Sequence, residues 1–221
     1  MPVNHDLRAA AASENGRPDR AQPLHAALLA GLLGVFVWSG IHPHDYFTWL
    51  LEVGPAVIGI GILAATYSRF RFTTLVYVLV CVHAVILMIG GHYTYAEVPL
   101  GYWMERAFHM TRNNYDKIGH FAQGFAPALV AREVLLRTSP LRRGGWLFFI
   151  VVSICLAISA AYELLEWAVA VLSGTAADAF LGTQGYVWDT QSDMLFALIG
   201  ALAALLLLGQ AQDKQLGKLG L

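Results

Sequence analysis

Three pairs of polar side chains interrupt otherwise apolar stretches of this sequence, and their spacing puts both members of each pair on one face of a helix. In the first pair Asp116 precedes His120 by one helical turn, and Gln123 follows on the same face. The other two pairs consist of acids, namely Glu163 with Glu166 and Asp189 with Asp193. A histidine beside carboxylates can transfer protons near neutral pH. The same side chains would also suit a divalent metal, although no known metal motif is present.

The acids at the start of an apolar segment also have a structural explanation. Asp116 and Asp189 stand where a carboxylate can cap free N–H groups and interact with the positive end of the helix dipole. His120 and Asp193 lie one turn deeper, where capping explains them less well. For these two pairs we therefore weigh a site against helix capping.

The glutamate pair is harder to explain by helix structure alone. Glu163 and Glu166 lie near the end of an apolar segment, where the helix dipole disfavours negative charge. Ionisable groups inside spanning segments cost roughly 2.5–3.5 kcal/mol for Asp on insertion scales and usually face a bundle interior or a cavity. A structural use stays open, because Lys117 or Arg112 could neutralise one of the carboxylates.

The composition places the whole chain in a membrane. The 221 residues are 57% apolar and 13% charged, with a mean hydropathy of +0.55, whereas soluble domains carry about 25% charged residues. The net charge of -1 argues against a nucleic-acid partner. Cys81 and Cys155 lie inside apolar segments, so we expect buried thiols and no disulfide framework.

The apolar residues form six long blocks, which predict an all-α, polytopic bundle of about six transmembrane helices. The blocks cover residues 24–41, 47–67, 72–91, 115–136, 146–168 and 190–208. The first block could instead be a signal-peptide core, but the stretch from Val37 to Gly40 is a poor cleavage site. We expect a disordered cytoplasmic tail over 1–23, a transmembrane domain over 24–209, and a cytoplasmic tail over 210–221.

The distribution of Lys and Arg predicts a multi-pass membrane protein with both termini in the cytoplasm. Of the 14 Lys and Arg residues, only Arg106, Arg112 and Lys117 then fall on the outer side. In this topology all three polar pairs lie at the outer membrane level. His83 is near mid-membrane, where we expect a hydrogen bond to a neighbouring helix rather than a ligand.

Several long motifs resemble the YjdF-type family of bacterial inner-membrane proteins, and the resemblance covers about residues 25–210. They lie at residues 91–99, 112–124, 162–167, 180–185 and 188–191. The family is a domain of unknown function, so the resemblance implies a membrane protein and marks the site residues without implying a reaction. Tyr186 and Ser192 stand where an acid and an aromatic residue are expected.

A looser likeness connects the chain to VanZ-like membrane proteins, which are linked to glycopeptide tolerance. They similarly show an Asp-Lys-x-x-His opening, a Glu in the next helix and an Asp near the start of the one after. The matching residues here are Asp116, Lys117 and His120, then Glu163 or Glu166, then Asp189 or Asp193. This likeness implies lipid-linked or envelope-related substrates at the outer face.

Our leading hypothesis is a site that acts on a lipid-linked molecule, with His120 as the general acid or base. The acids of the three pairs would orient His120 or hold a divalent ion, for which the candidate ligands are His120, Glu166 and Asp193. We expect substrate contacts from two cations that could bind an anionic headgroup and from three amides: Arg112, Lys117, Gln123, Gln184 and Gln191. A proton-coupled transporter and a non-catalytic scaffold are the alternatives.

Overall fold

The structure, a computed structural model, describes residues 21–173 and 178–219, and every regular element within these ranges is helical. Residues 1–20 of the predicted N-terminal tail lie outside the described residues. The helices are α1 (Gln22–Ser39), α2 (Tyr46–Thr66), α3 (Thr74–Tyr93), α4 (Pro99–Phe108), α5 (Tyr115–Thr138), α6 (Gly145–Ser173), α7 (Asp178–Leu181) and α8 (Asp189–Lys218), with a 3₁₀ turn at Tyr95–Glu97 before α4.

Five of these helices, α1, α2, α3, α6 and α8, are long and apolar enough to cross a membrane. The predicted all-helical membrane class is therefore confirmed. Helix α5 corresponds to the fourth predicted segment but is less apolar, because it carries the charged side chains of the site and more near its other end. Its crossing of the membrane, and the cytoplasmic location of both termini, stay predictions.

Helix α5 lies at the centre of the bundle, in contact with α3, α6 and α8. Its most extensive packing is against α8, and two glycines make this close approach possible. A Cβ atom at Gly124 would overlap the carbonyl of Ala197, and one at Gly200 would overlap the carbonyl of Phe121. Because neighbouring helices surround α5, its polar residues avoid lipid contact.

The helix directions bring the three polar pairs to one end of the bundle. Helices α5 and α8 run parallel, since Lys117 near the start of α5 contacts Asp189, and Arg132 near its end contacts Gln212. Helix α6 runs the opposite way, so Glu163 near its end lies beside the start of α5. The three polar pairs therefore lie at the same end of the helix bundle.

The opposite end of the bundle holds a second buried polar network, which the sequence had not indicated. The fully buried Glu133 accepts hydrogen bonds from the backbone N–H and hydroxyl of Thr73, from Arg137 and from Gln212. Such a carboxylate is acceptable in a core because its oxygens are satisfied.

This network explains why α8 continues beyond the predicted end at Leu208. The polar residues after that point looked like a solvated tail, yet α8 extends to Lys218. Arg132 donates to both Gln212 and Asp213, and Leu216 is fully buried. Tertiary contacts thus extend the helix where hydropathy alone does not predict it.

The connection between α3 and α5 carries the amphipathic helix α4. Its exposed side includes Leu100, Tyr102 and Trp103, which suit the interface between lipid and water. On the other side a Cβ at Gly101 would overlap the side chain of Asn113, and the Asn113 amide donates to the carbonyl of Val98. This contact fixes the segment that leads into α5.

Candidate functional site

A charged cluster joins the start of α5 to the start of α8. It consists of Arg112, Asp116, Lys117, Asp189 and Asp193. The Arg112 guanidinium donates to Asp116 Oδ2 at 2.9 Å and to Asp189 Oδ1 at 2.7 Å. The Lys117 ammonium donates to Asp189 Oδ1 at 2.9 Å and to Asp193 Oδ1 at 2.6 Å, and it lies 3.1 Å from Asp116 Oδ2. Arg112 and Lys117 therefore neutralise carboxylates of the polar pairs, which is the structural role that the sequence left open.

His120 lies at the inner side of the charged cluster, between carboxylates from two other helices. Its Nε2 atom is 3.6 Å from Asp193 Oδ1, and its Nδ1 atom is 3.9 Å from Glu163 Oε1. The Nδ1 atom is also 3.2 Å from Gln123 Oε1. His120, Asp193 and Glu163 can thus exchange or hold a proton within one small region, and Gln123 holds the imidazole by a hydrogen bond.

Two overlapping groups of side chains are close enough together to hold a metal ion. One ligand atom from each of His120, Glu163 and Asp193 lies within 4.8 Å of the others, and the same holds for Asp116, Asp189 and Asp193. The expected ligand Glu166 belongs to neither group among the described residues. The geometry places Glu163 beside His120 instead.

A cavity of about 460 Å³ runs from this site into the bundle. Asp116, His120, Gln123, Asp189, Asp193 and Glu166 line its polar end. Its walls beyond them are mostly aliphatic, with contributions from α2, α3, α5 and α6. Helix α5 lines the cavity from Asp116 to Val134, which are roughly 27 Å apart at 1.5 Å per residue.

Two further polar groups face this cavity and were not predicted as site residues. The buried Glu52 of α2 accepts a hydrogen bond from the Tyr162 hydroxyl at 3.2 Å. His83 also lines the cavity, but its buried Nε2 atom has no hydrogen-bond partner among the described residues. The expected bond from His83 to a neighbouring helix through this atom is therefore not found. Glu52 and His83 are brought to the cavity by the packing of α2 against α3 and of α3 against α5. Their spacing along the sequence therefore does not mark them as site residues.

Tyr95 also lines the cavity. Its ring packs closely against Gly90 and Gly119, and burial raises the pKa of its hydroxyl well above the ordinary value. Tyr95 therefore stays neutral at physiological pH and can act only as a hydrogen-bonding group.

The three predicted amides differ in what they contact. Gln123 is bonded to His120, as described above. Gln184 binds the backbone of Asn113 with its side-chain amide. It accepts a hydrogen bond from the Asn113 N–H and donates one to the Asn113 carbonyl at 2.7 Å. Arg112 in turn donates to the Thr183 carbonyl at 3.0 Å. Gln191 is exposed, and no hydrogen bond joins it to the cluster within the described ranges.

The sequence of the chain matches known membrane proteins over most of its length. It is 49% identical to the inner membrane protein YjdF of Escherichia coli (strain K12) over 187 residues, which are 85% of this chain and 90% of that protein. No solved structure matches it, and a likeness to VanZ-like proteins is not shown.

The relative and the five candidate spans confirm the expected localisation in the bacterial inner membrane. The family described as "Predicted membrane protein (DUF2238)" matches residues 24–214. The resemblance carried by the motifs is therefore confirmed, and the chain belongs to this family of membrane proteins.

Proposed function

We propose that this membrane protein binds a lipid-linked molecule in the cavity and acts on its headgroup at the charged end, with His120 as the general acid or base. The observation that carries the proposal is the division of the cavity. One end presents His120 and the aspartates, and the rest presents mostly aliphatic walls with Glu52 and His83 among them. A lipid-linked molecule has the same division between a polar headgroup and an apolar tail.

The dimensions of the cavity fit such a ligand. Its volume of about 460 Å³ lies within the range of about 300–1,000 Å³ that is usual for ligand pockets. The length lined by α5, roughly 27 Å, is close to the hydrocarbon thickness of a bilayer, about 30 Å. A tail in the cavity would thus stay at the depth that it occupies in the membrane.

His120 is placed to move a proton at the headgroup. Asp193 and Glu163 flank its two ring nitrogens, and carboxylates in such positions orient an imidazole and stabilise its charged form. Arg112 and Lys117 are already compensated by the aspartates, so they offer less attraction to an anionic headgroup than free cations would.

The test uses two glycines of α2 that differ in their surroundings. A Cβ at either Gly59 or Gly61 meets no atom within 4 Å, but only Gly59 lines the cavity. Gly59→Phe should fill the apolar part of the cavity and lower labelling by a photoactivatable diazirine phospholipid about tenfold, whereas Gly61→Phe should label like the wild type. Peptide mapping of the labelled protein locates the tail.

Equal labelling of Gly59→Phe and Gly61→Phe would contradict lipid binding in the cavity. The catalytic half of the proposal is tested by lipid mass spectrometry of cells that carry His120→Ala in place of the wild type. We expect a lipid-linked species to accumulate in the variant, and identical lipid profiles would contradict a reaction at His120.

One observation favours proton-coupled transport as a second candidate function. Titratable side chains continue from His120 and Asp193 to Glu52 and His83 along a cavity that covers much of the membrane depth, as in proton relays. Proteoliposomes with an imposed pH gradient would then show proton flux that Glu52→Gln abolishes. The absence of flux in the wild type would exclude this function.

A further inference from the structure

We propose that His120, Glu163 and Asp193 together bind one divalent transition-metal ion. This inference goes beyond the proposed function, because metal binding requires no lipid and can be measured without one. The three residues come from α5, α6 and α8, so the ion would tie together the three helices that meet at the site.

The distances between the three side chains suit a metal centre. One ligand atom from each lies within 4.8 Å of the others, and His120 Nε2 is 3.6 Å from Asp193 Oδ1. Two ligands of a tetrahedral zinc ion, each bound at about 2.0–2.2 Å, stand roughly 3.3–3.6 Å apart. Small side-chain movements would therefore complete the coordination.

A buried oxygen without a partner points independently to a missing cation. Glu163 is 7% exposed, and its Oε1 atom has no hydrogen-bond partner among the described residues. Leaving a buried carboxylate oxygen unsatisfied is costly. This same oxygen lies 3.9 Å from the imidazole of His120, so a cation held by the three side chains would give it a partner.

Two of the three proposed ligands, His120 and Asp193, are oriented by hydrogen bonds to neighbouring side chains, as metal ligands usually are. Gln123 Oε1 accepts the Nδ1–H of His120, which leaves the lone pair on Nε2, the atom that faces Asp193. Lys117 donates to Asp193 Oδ1 at 2.6 Å, and ligating carboxylates are usually hydrogen-bonded in this way.

The charge of the surrounding site favours a cation in this position. Acidic side chains outnumber the cations of the charged cluster and cavity: Asp116, Asp189, Asp193, Glu163, Glu166 and Glu52 stand against Arg112 and Lys117. Arg112 and Lys117 contact only the three aspartates among these acids. A divalent ion at Glu163 would compensate the carboxylates that they do not reach.

The ligand types narrow the choice of ion. One imidazole with two carboxylates suits Zn²⁺ or Mn²⁺ better than Ca²⁺, which prefers oxygen ligands alone, or Cu⁺, which prefers sulfur. Three protein ligands leave a coordination position free, as in catalytic zinc sites. His120 and Asp193 line the cavity, so a headgroup in the cavity could reach that position.

The test compares two glutamates that lie one turn apart on α6. Untagged protein in detergent is loaded with Zn²⁺ or Mn²⁺, dialysed and analysed for metal. We expect about one ion per chain in the wild type, an affinity lower by less than about tenfold in Glu166→Gln, and an affinity lower by about a hundredfold or more in Glu163→Gln and His120→Asn. Elution in size-exclusion chromatography identifies any variant that fails to fold.

A titration of the wild type with Co²⁺ tests the site without any variant, because coordination by nitrogen and oxygen ligands produces visible absorption that Zn²⁺ should displace. Absence of saturable binding of Zn²⁺, Mn²⁺ and Co²⁺ by the wild type would overturn the proposal, as would equal affinity in Glu163→Gln. If the wild type binds metal but Gly59→Phe does not change lipid labelling, only the proposed function would be contradicted. If lipid labelling depends on Gly59 as expected but the wild type binds no metal, only the metal-binding inference would be contradicted.

Discussion

At the scale of single residues, the buried carboxylates fall into two groups that the sequence does not distinguish. Glu133 and the aspartates of the charged cluster have basic partners within hydrogen-bond distance. Glu163 and Glu52 have none among the residues that the structure describes, and both lie next to the cavity or the site. The first group stabilises helix packing, and the second is available for a ligand, a proton or a metal.

Removal of the Glu133 carboxylate should cost much more than removal of an exposed one. Glu133→Ala removes an acceptor from Arg137, from Gln212 and from the N–H of Thr73, and breaking a buried pair costs about 3–5 kcal/mol. Glu97, which is about half exposed and 3.6 Å from His44, serves as the control, since exposed pairs contribute about 0–1 kcal/mol. Unfolding in mixed micelles measures both, and similar losses would show that the Glu133 network is not structural.

At the scale of elements, the crossing of α5 and α8 determines whether the site forms. His120 and Lys117 belong to α5, and Asp189 and Asp193 belong to α8. Their contacts require the backbones to touch at Gly124 and Gly200. These two glycines therefore serve the site indirectly, by positioning the helices that carry it.

Gly200→Ala should push the two helices apart and destabilise the protein by about 1–3 kcal/mol, the usual cost of overpacking. Gly209→Ala on the same helix meets no atom within 4 Å, so it should be neutral or stabilise by up to about 1 kcal/mol through helix propensity. Thermal unfolding in detergent compares the two variants. If Gly200→Ala is as stable as Gly209→Ala, the close approach of α5 and α8 is not needed.

The start of α2 carries a local helix cap. Asp45 Oδ2 accepts the N–H of Thr48 at 2.6 Å, and this bond holds the pKa of Asp45 below its ordinary value. A cap of this kind depends on residues within one turn. The partners of the fully buried Glu133, in contrast, include Thr73 before α3 and Gln212 of α8, which are distant in the sequence.

At the scale of the whole molecule, the central question is whether α5 crosses the membrane with both termini in the cytoplasm. Arg106 precedes α5 and Arg142 follows it, and both are exposed. In a background where Cys81 and Cys155 are replaced by alanine, Arg106→Cys should react with an impermeant maleimide on intact spheroplasts. Arg142→Cys should react only after the membrane is permeabilised.

Equal labelling of the two cysteines from outside would place both ends of α5 on one side and contradict six spans. The reversed pattern would keep the crossing and invert the orientation. The lipid-binding site would then face the cytoplasm, although its internal geometry would be unchanged.

The sequence by itself determined the membrane class, the helical blocks, the family and the common level of the three polar pairs. These features depend on composition and on spacing within one helix, which hydropathy and the helical repeat determine directly. They were sufficient to select His120, Asp193 and Glu163 as candidate site residues, but not to say which of them meet.

Only the tertiary structure decided that Glu163 rather than Glu166 lies beside His120, that Lys117 and Arg112 bind aspartates, and that Glu52 and Tyr162 join the cavity. It also extended α8 through Gln212 and Asp213 to Lys218. Each of these results depends on how helices distant in the sequence rotate and pack against each other. That arrangement follows from contacts such as Gly124 on Ala197, which no pattern within a single segment specifies.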